Sequence, residues 1–123
     1  INMKNKKTLV LGASENPTRY SNMAIKKLRE YGHDVVAIGR RTGKVLDVEI
    51  IKHTPYFSNI DTITVYMNER NQAEYEAYML SLNPKRIIFN PGAENEQFFE
   101  KTVISAIQPI EACTLVMLST GQY

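Results

Sequence analysis

Hydrophobic positions along the chain follow two alternating rhythms. Thr8-Leu9-Val10-Leu11 is a short β-branched and aliphatic run with a polar, basic lead-in and a glycine stop, the pattern of a strand buried on both faces. Behind it Ala24, Ile25, Leu28 and Tyr31 repeat at helical spacing. Ser21 or Asn22 is placed to cap that helix, and Gly32 to end it in the left-handed conformation. The alternation then recurs. Val35 to Ile38, Thr62 to Tyr66 and Arg86 to Phe89 read as further buried strands. Between them Tyr75, Tyr78, Met79 and Leu82 share one face of a helix over Gln72 to Leu82, stopped by Asn83-Pro84. Asn95 can cap a helix from Glu96 to about Ala106, with Phe99, Val103 and Ala106 on its buried face. After Pro109 the almost continuous apolar run Ala112 to Leu118 predicts a last strand, and Ser119 to Tyr123 stays unassigned. Val45 to Ile51 alternates only at its start and predicts a short peripheral strand or an extended connection.

Strands alternating with helices imply an α/β class: a small Rossmann-like three-layer sandwich whose mostly parallel sheet has about five strands. A chain of 123 residues is long enough for one core, so a single domain over residues 1–123 is expected. In such a sheet the first strand-to-helix turn lies at the carboxyl edge, where ligands bind, with the positive end of the next helix facing the crevice. That turn here is Gly12-Ala13-Ser14-Glu15-Asn16-Pro17-Thr18-Arg19-Tyr20-Ser21. Gly12 permits close approach to the backbone, Ser14, Asn16 and Ser21 add hydroxyl and amide donors, and Arg19 adds a planar fork suited to phosphate. Conformation alone can account for a glycine and a serine in such a turn. It does not require the guanidinium.

Two better-known phosphate motifs are missing. A G-x-G-x-x-G fingerprint would need glycines where Ser14 and Pro17 stand, and a P-loop would need Gly-Lys where Pro17-Thr18 stand. What the residues do resemble is the "GAS-x-x-P-x-R-x-S" opening of the small single-domain CoA-binding proteins, relatives of the CoA-binding domain of succinyl-CoA synthetase alpha subunits. Gly12-Ala13-Ser14, Pro17, Arg19 and Ser21 carry the match. Val45-Leu46 with Val48 after Gly43, Val65-Tyr66-Met67 and Asn90-Pro91-Gly92 before the third helix continue it in order. The chain departs where many members have Gln-x-Gly, here Asn90-Pro91-Gly92, and where they end on Asp-Arg-Cys, here Cys113-Thr114-Leu115. The resemblance implies a pyrophosphate met by backbone amides of Gly12, Ala13 and Ser14 with Arg19 as charged partner. It also adds Asn90, Pro91 and Gly92 to the site, while the end of the strand Thr62 to Tyr66 puts Met67 and Asn68 toward the crevice.

Beyond the second strand, Gly39-Arg40-Arg41-Thr42-Gly43-Lys44 is a flexible basic loop beside the first turn. NAD-selective sites carry an acidic residue there, whereas two arginines suit a phosphorylated ribose. That argues against plain NAD and leaves CoA, with its 3′-phosphate, and NADP, with its 2′-phosphate. Arg40 or Arg41, helped by Lys44, is expected at the ribose phosphate, with Ile38, Gly39 and Met67 near the adenine.

A formal charge of +2 gives no case for a nucleic-acid or membrane partner, and no apolar run approaches the roughly 20 residues of a spanning helix. Cys113 is the only cysteine, so no internal disulfide can form and a cytoplasmic location fits. It is expected as a small buried side chain and not as a nucleophile. His33 and His53 lack ligands at useful spacing and are expected at the surface, so no metal site is proposed. The sequence therefore favours a protein that binds CoA or acyl-CoA without evident catalysis. An NADP-binding oxidoreductase-like domain is the alternative, and an interaction module with a vestigial nucleotide site is the third reading; no protein partner is identifiable.

Overall fold

A computed structural model describes residues 4–123. Its strands are β1 (Thr8–Leu11), β2 (Val35–Ile38), β3 (Gly43–Val45), β4 (Val48–Ile51), β5 (Thr62–Val65), β6 (Arg86–Phe89) and β7 (Gln108–Glu111). The helices are α1 (Tyr20–Glu30), α2 (Glu69–Gln72), α3 (Glu76–Ser81), α4 (Glu96–Ile104) and α5 (Thr114–Ser119), with a 3₁₀ turn at Ala73–Tyr75 between α2 and α3. They build one sheet in the order β3-β4-β2-β1-β5-β6-β7. Every neighbouring pair is parallel except the β3/β4 hairpin.

β1, β5 and β6 are buried along their whole length, as continuous apolar or β-branched runs in the middle of a parallel sheet must be. One face carries Val10, Ala37 and Ile50 against Ile25 and Leu28 of α1 and Leu118 of α5. The opposite face carries Leu9, Leu11, Ile63 and Ile87 against Met79 and Phe98. Helices thus cover both faces, giving three layers.

The sheet has seven strands, not five. Leu46 adopts φ +54°, which lets Leu46-Asp47 turn the chain between β3 and β4, so the segment with the weak alternation is a hairpin whose second strand extends the parallel sheet. The last element also differs. β7 is Gln108–Glu111, and the apolar run behind it is helix α5, with Thr114, Met117 and Leu118 buried at helical spacing. Pro109 sits inside β7, which is tolerated because that strand is an edge. Cys113 is only half-buried, at the start of α5.

Helix ends and faces shift too. Arg19, not Ser21 or Asn22, occupies the N-cap of α1 and supplies no side-chain cap; both expected caps lie inside the helix and are buried. Gly32 does take a positive φ, +85°. The Gln72 to Leu82 helix is broken by the 3₁₀ turn, yet Met79 and Leu82 are buried and Tyr75 and Tyr78 pack on the core. Asn95 Oδ1 accepts from the Phe98 amide as a cap, but α4 buries Phe98 and Thr102 while Val103 is 57% exposed, so its face is turned by one residue from the expected one. His33 is buried as well, at 3% exposure, whereas His53 is exposed. Among the described residues no helix is long and apolar enough to cross a membrane, and no cluster of ligating side chains suits a metal ion.

Candidate functional site

The chain leaves β1 toward one side of the sheet and returns through β5 on the other side of β1, so their carboxyl ends define a switch point. There the two backbones nearly touch. Gly12 has φ +96°, and a Cβ added to it would lie 3.1 Å from the Tyr66 carbonyl group. A cleft of about 840 Å³ opens at this point, within the size range of small-molecule sites. Four loops form its walls: residues 12–21 after β1, 39–42 after β2, 66–75 after β5, and 91–93 after β6.

The loop after β1 is ordered by its own polar groups. Ser14 Oγ accepts from the Asn16 amide at 3.0 Å, and Asn16 Oδ1 accepts from the amide and hydroxyl of Thr18 at 3.0 and 2.8 Å. Asn22, buried on α1, donates from Nδ2 to the Ser14 carbonyl at 3.0 Å. The amides of Gly12 and Ala13 both donate to the Ile38 carbonyl at 2.9 Å. They are therefore engaged in the fold, which corrects the expectation that they meet a phosphate. Among the described residues the amides of Ser14, Glu15, Tyr20 and Ser21 have no backbone or side-chain acceptor, and the last two open α1. These can supply the donors of an anion site at a helix start.

Gly12, Ala13, Ser14, Asn16, Arg19 and Ser21 all line the cleft, as do Gly39, Arg40, Arg41, Met67, Asn68, Pro91 and Gly92. Three expected residues do not. Ile38 is wholly buried in the core, and Lys44 lies outside the lining. Asn90 faces inward, donating to Thr64 Oγ1 and the Val65 carbonyl and accepting from the Thr114 amide, so it fastens α5 to β5. Arg19, Arg40 and Arg41 are exposed and form no ion pair or side-chain hydrogen bond among the described residues. Their guanidinium groups are available.

The lining also holds Glu15, Tyr20, Thr42, Tyr66, Asn71, Glu74, Tyr75 and Ala93, none of which the sequence singled out for the site. Tyr66 follows β5 directly, so the end of that strand was the signal for it. Its hydroxyl is buried without a hydrogen-bond partner among the described residues, and burial pushes its pKa up to about 12, so it stays protonated. The far wall is fixed by Gln72, which is fully buried. Its Nε2 donates to the Met67 and Ala93 carbonyls at 2.8 and 2.7 Å, and its Oε1 accepts from Asn95 Nδ2 at 2.9 Å.

The cleft thus joins a glycine-containing turn, a helix start and a basic loop at one switch point of the sheet. Residues 6–119 match the family described as the CoA binding domain. The chain belongs to that CoA-binding domain family. A crystal structure titled as an uncharacterized protein superposes with TM-score 0.96 at 45% identity, covering 98% of this chain and 100% of that one. A Thermus thermophilus structure, titled cell-free ID.343, matches with TM-score 0.84 at 19% identity over 97% and 91% of the two chains. The dinucleotide-forming acetyl-coenzyme A synthetase 1 of Ca. Korarchaeum cryptofilum, solved with phosphate and ADP, shares the fold with TM-score 0.71 at 13% identity. That likeness covers 87% of this chain and 25% of the synthetase. No curated protein matches the sequence.

Proposed function

We propose that this CoA-binding domain protein holds coenzyme A or an acyl-CoA in the switch-point cleft and acts by binding, as one domain. The observation that carries the reading is the set of three unpaired guanidinium groups on two adjoining loops. Arg19 stands at the start of α1 beside the unpartnered amides of Ser14, Tyr20 and Ser21. There it suits a pyrophosphate. Arg40 and Arg41 follow β2, where the ribose of a nucleotide lies in such folds, and they suit the 3′-phosphate. Gly39, Met67 and Tyr66 supply the flatter, less polar surface for the base. Arg40 and Arg41 also suit a 2′-phosphate, which keeps NADP as the second reading.

Calorimetric titration with CoA, dephospho-CoA and NADP at one salt concentration tests this, because exposed charge pairs are screened. CoA should bind more tightly than dephospho-CoA, and both more tightly than NADP. Tighter binding of NADP would replace this reading with the second, and no binding of any of the three would favour an interaction module. Native mass spectrometry of protein taken from cells, expected to show a retained mass of CoA or an acyl-CoA, identifies the acyl group.

A further inference from the structure

The basic loop after β2 is fastened to the loop after β1 at both of its ends. At the near end the Ile38 carbonyl accepts from Gly12 and Ala13, and Gly39 lies so close that a Cβ on it would sit 2.3 Å from the Ala13 oxygen. At the far end Glu15 Oε2 accepts from the Lys44 amide at 2.8 Å. Gly43 makes room for that carboxylate, since a Cβ there would fall 2.2 Å from Glu15 Cδ. Between the two fastenings Arg40, Arg41 and Thr42 form an exposed arch over the cleft. Among the described residues Glu15 forms no ion pair, so its carboxylate acts on the arch through the Lys44 backbone.

Two opposing effects meet at this carboxylate. Fixing both ends of a short loop lowers the entropy lost when its side chains order around a ligand, which favours binding. A negative charge near a ribose phosphate disfavours it by Coulomb repulsion, but at an exposed site that penalty is small and screened. The charge is not needed for the fastening, because a neutral amide oxygen can accept the same bond. We propose that Glu15 is a positioning residue for the arch, setting how strongly the protein discriminates a nucleotide with a ribose 3′-phosphate from one without it. The inference rests on the CoA-binding reading given above.

The test compares wild-type protein, Glu15→Ala and Glu15→Gln, each titrated with CoA and with dephospho-CoA. Hydrogen exchange at the Lys44 amide, followed by NMR without ligand, reports the fastening itself. Glu15→Ala should speed that exchange at least tenfold and reduce the CoA to dephospho-CoA affinity ratio about threefold to tenfold. Glu15→Gln should restore both the protection and the ratio, and removal of the charge should raise CoA affinity slightly. An unchanged ratio in Glu15→Ala with faster Lys44 exchange overturns the role in discrimination. Equal Lys44 exchange in all three proteins overturns the fastening. Failure of wild-type protein to bind CoA removes the underlying reading and this role with it, and the exchange data then show separately whether the fastening exists.

Discussion

At Gly12 the conformation and the surroundings impose the same residue for different reasons. A side chain there would face a positive φ, at about 1 to 2 kcal/mol, and would press on the Tyr66 carbonyl group. Gly12→Val should therefore lower the unfolding midpoint markedly as well as abolish CoA binding, with circular dichroism separating the two effects. Gly39→Ala should do the same by forcing Ala13 away. Arg19 contrasts with both, because its exposed side chain makes no hydrogen bond or ion pair among the described residues. Arg19→Ala should leave the midpoint within about 0.5 kcal/mol and weaken CoA binding by about 1.5 kcal/mol, the lower end for a charge-assisted bond. Unchanged affinity by calorimetry would remove Arg19 from the site. These residues were legible because glycines in turns and unneeded guanidinium groups stand out in a sequence. Glu15 was not. A glutamate in a loop carries no mark of where its carboxylate ends up, and here its meaning comes from Lys44, which lies 29 positions along the chain.

Gln72 shows how one buried amide joins elements that are remote in sequence. It ends α2, spans the loops after β5 and β6, and holds the cap of α4 through Asn95. Gln72→Ala would take the side-chain donor from the Met67 and Ala93 carbonyl groups and leave Asn95 Nδ2 only its long 3.5 Å bond to Glu76 Oε2, so a loss of about 1 to 3 kcal/mol is expected in chemical denaturation. A weaker response in Gln72→Glu is not expected, since a carboxylate cannot donate to either carbonyl. Elements with strong local patterns were legible: β1, β2, β5 and β6 lie where continuous apolar runs put them. α5 was misread because a short buried helix is as continuously apolar as a buried strand, and six residues give too few turns to show a period. The face of α4 turned by one residue because Phe98 occupies the core beside Phe89, an edge-on aromatic pair at 6.0 Å that local periodicity could not reveal. The β3/β4 hairpin was hidden by a turn made with Leu46, a residue without turn character.

Across the whole molecule the ends of the sheet are chemically different. The carboxyl end holds the cleft, while the amino end buries His33, whose Nδ1 accepts from the Lys6 amide at 2.9 Å and whose ring packs 5.0 Å from that of Tyr123. Burial lowers the His33 pKa from its ordinary value of 6.5, and the nearby Lys6 and Arg86 charges lower it further, outweighing Asp61 and Asp34. The neutral form is the folded form, because a protonated Nδ1 could no longer accept from Lys6. A proton then binds the unfolded chain more readily than the native one. The contribution is fully present above the unfolded pKa near 6.5 and is lost as pH falls through that value toward the lower folded pKa. Urea midpoints should fall between pH 7.5 and 5.5, and His33→Gln should flatten that part of the profile, since its side-chain oxygen can accept the Lys6 bond at either pH. β1 separates this cluster from the cleft by roughly 10 Å at ~3.3 Å per residue, a spacing at which effects on stability usually add. The rise in melting temperature caused by saturating CoA should thus be the same in wild type and His33→Gln at pH 7.5. A smaller rise in the variant would mean that the two ends of the sheet are coupled, and that His33 reports on ligand binding as well as on folding.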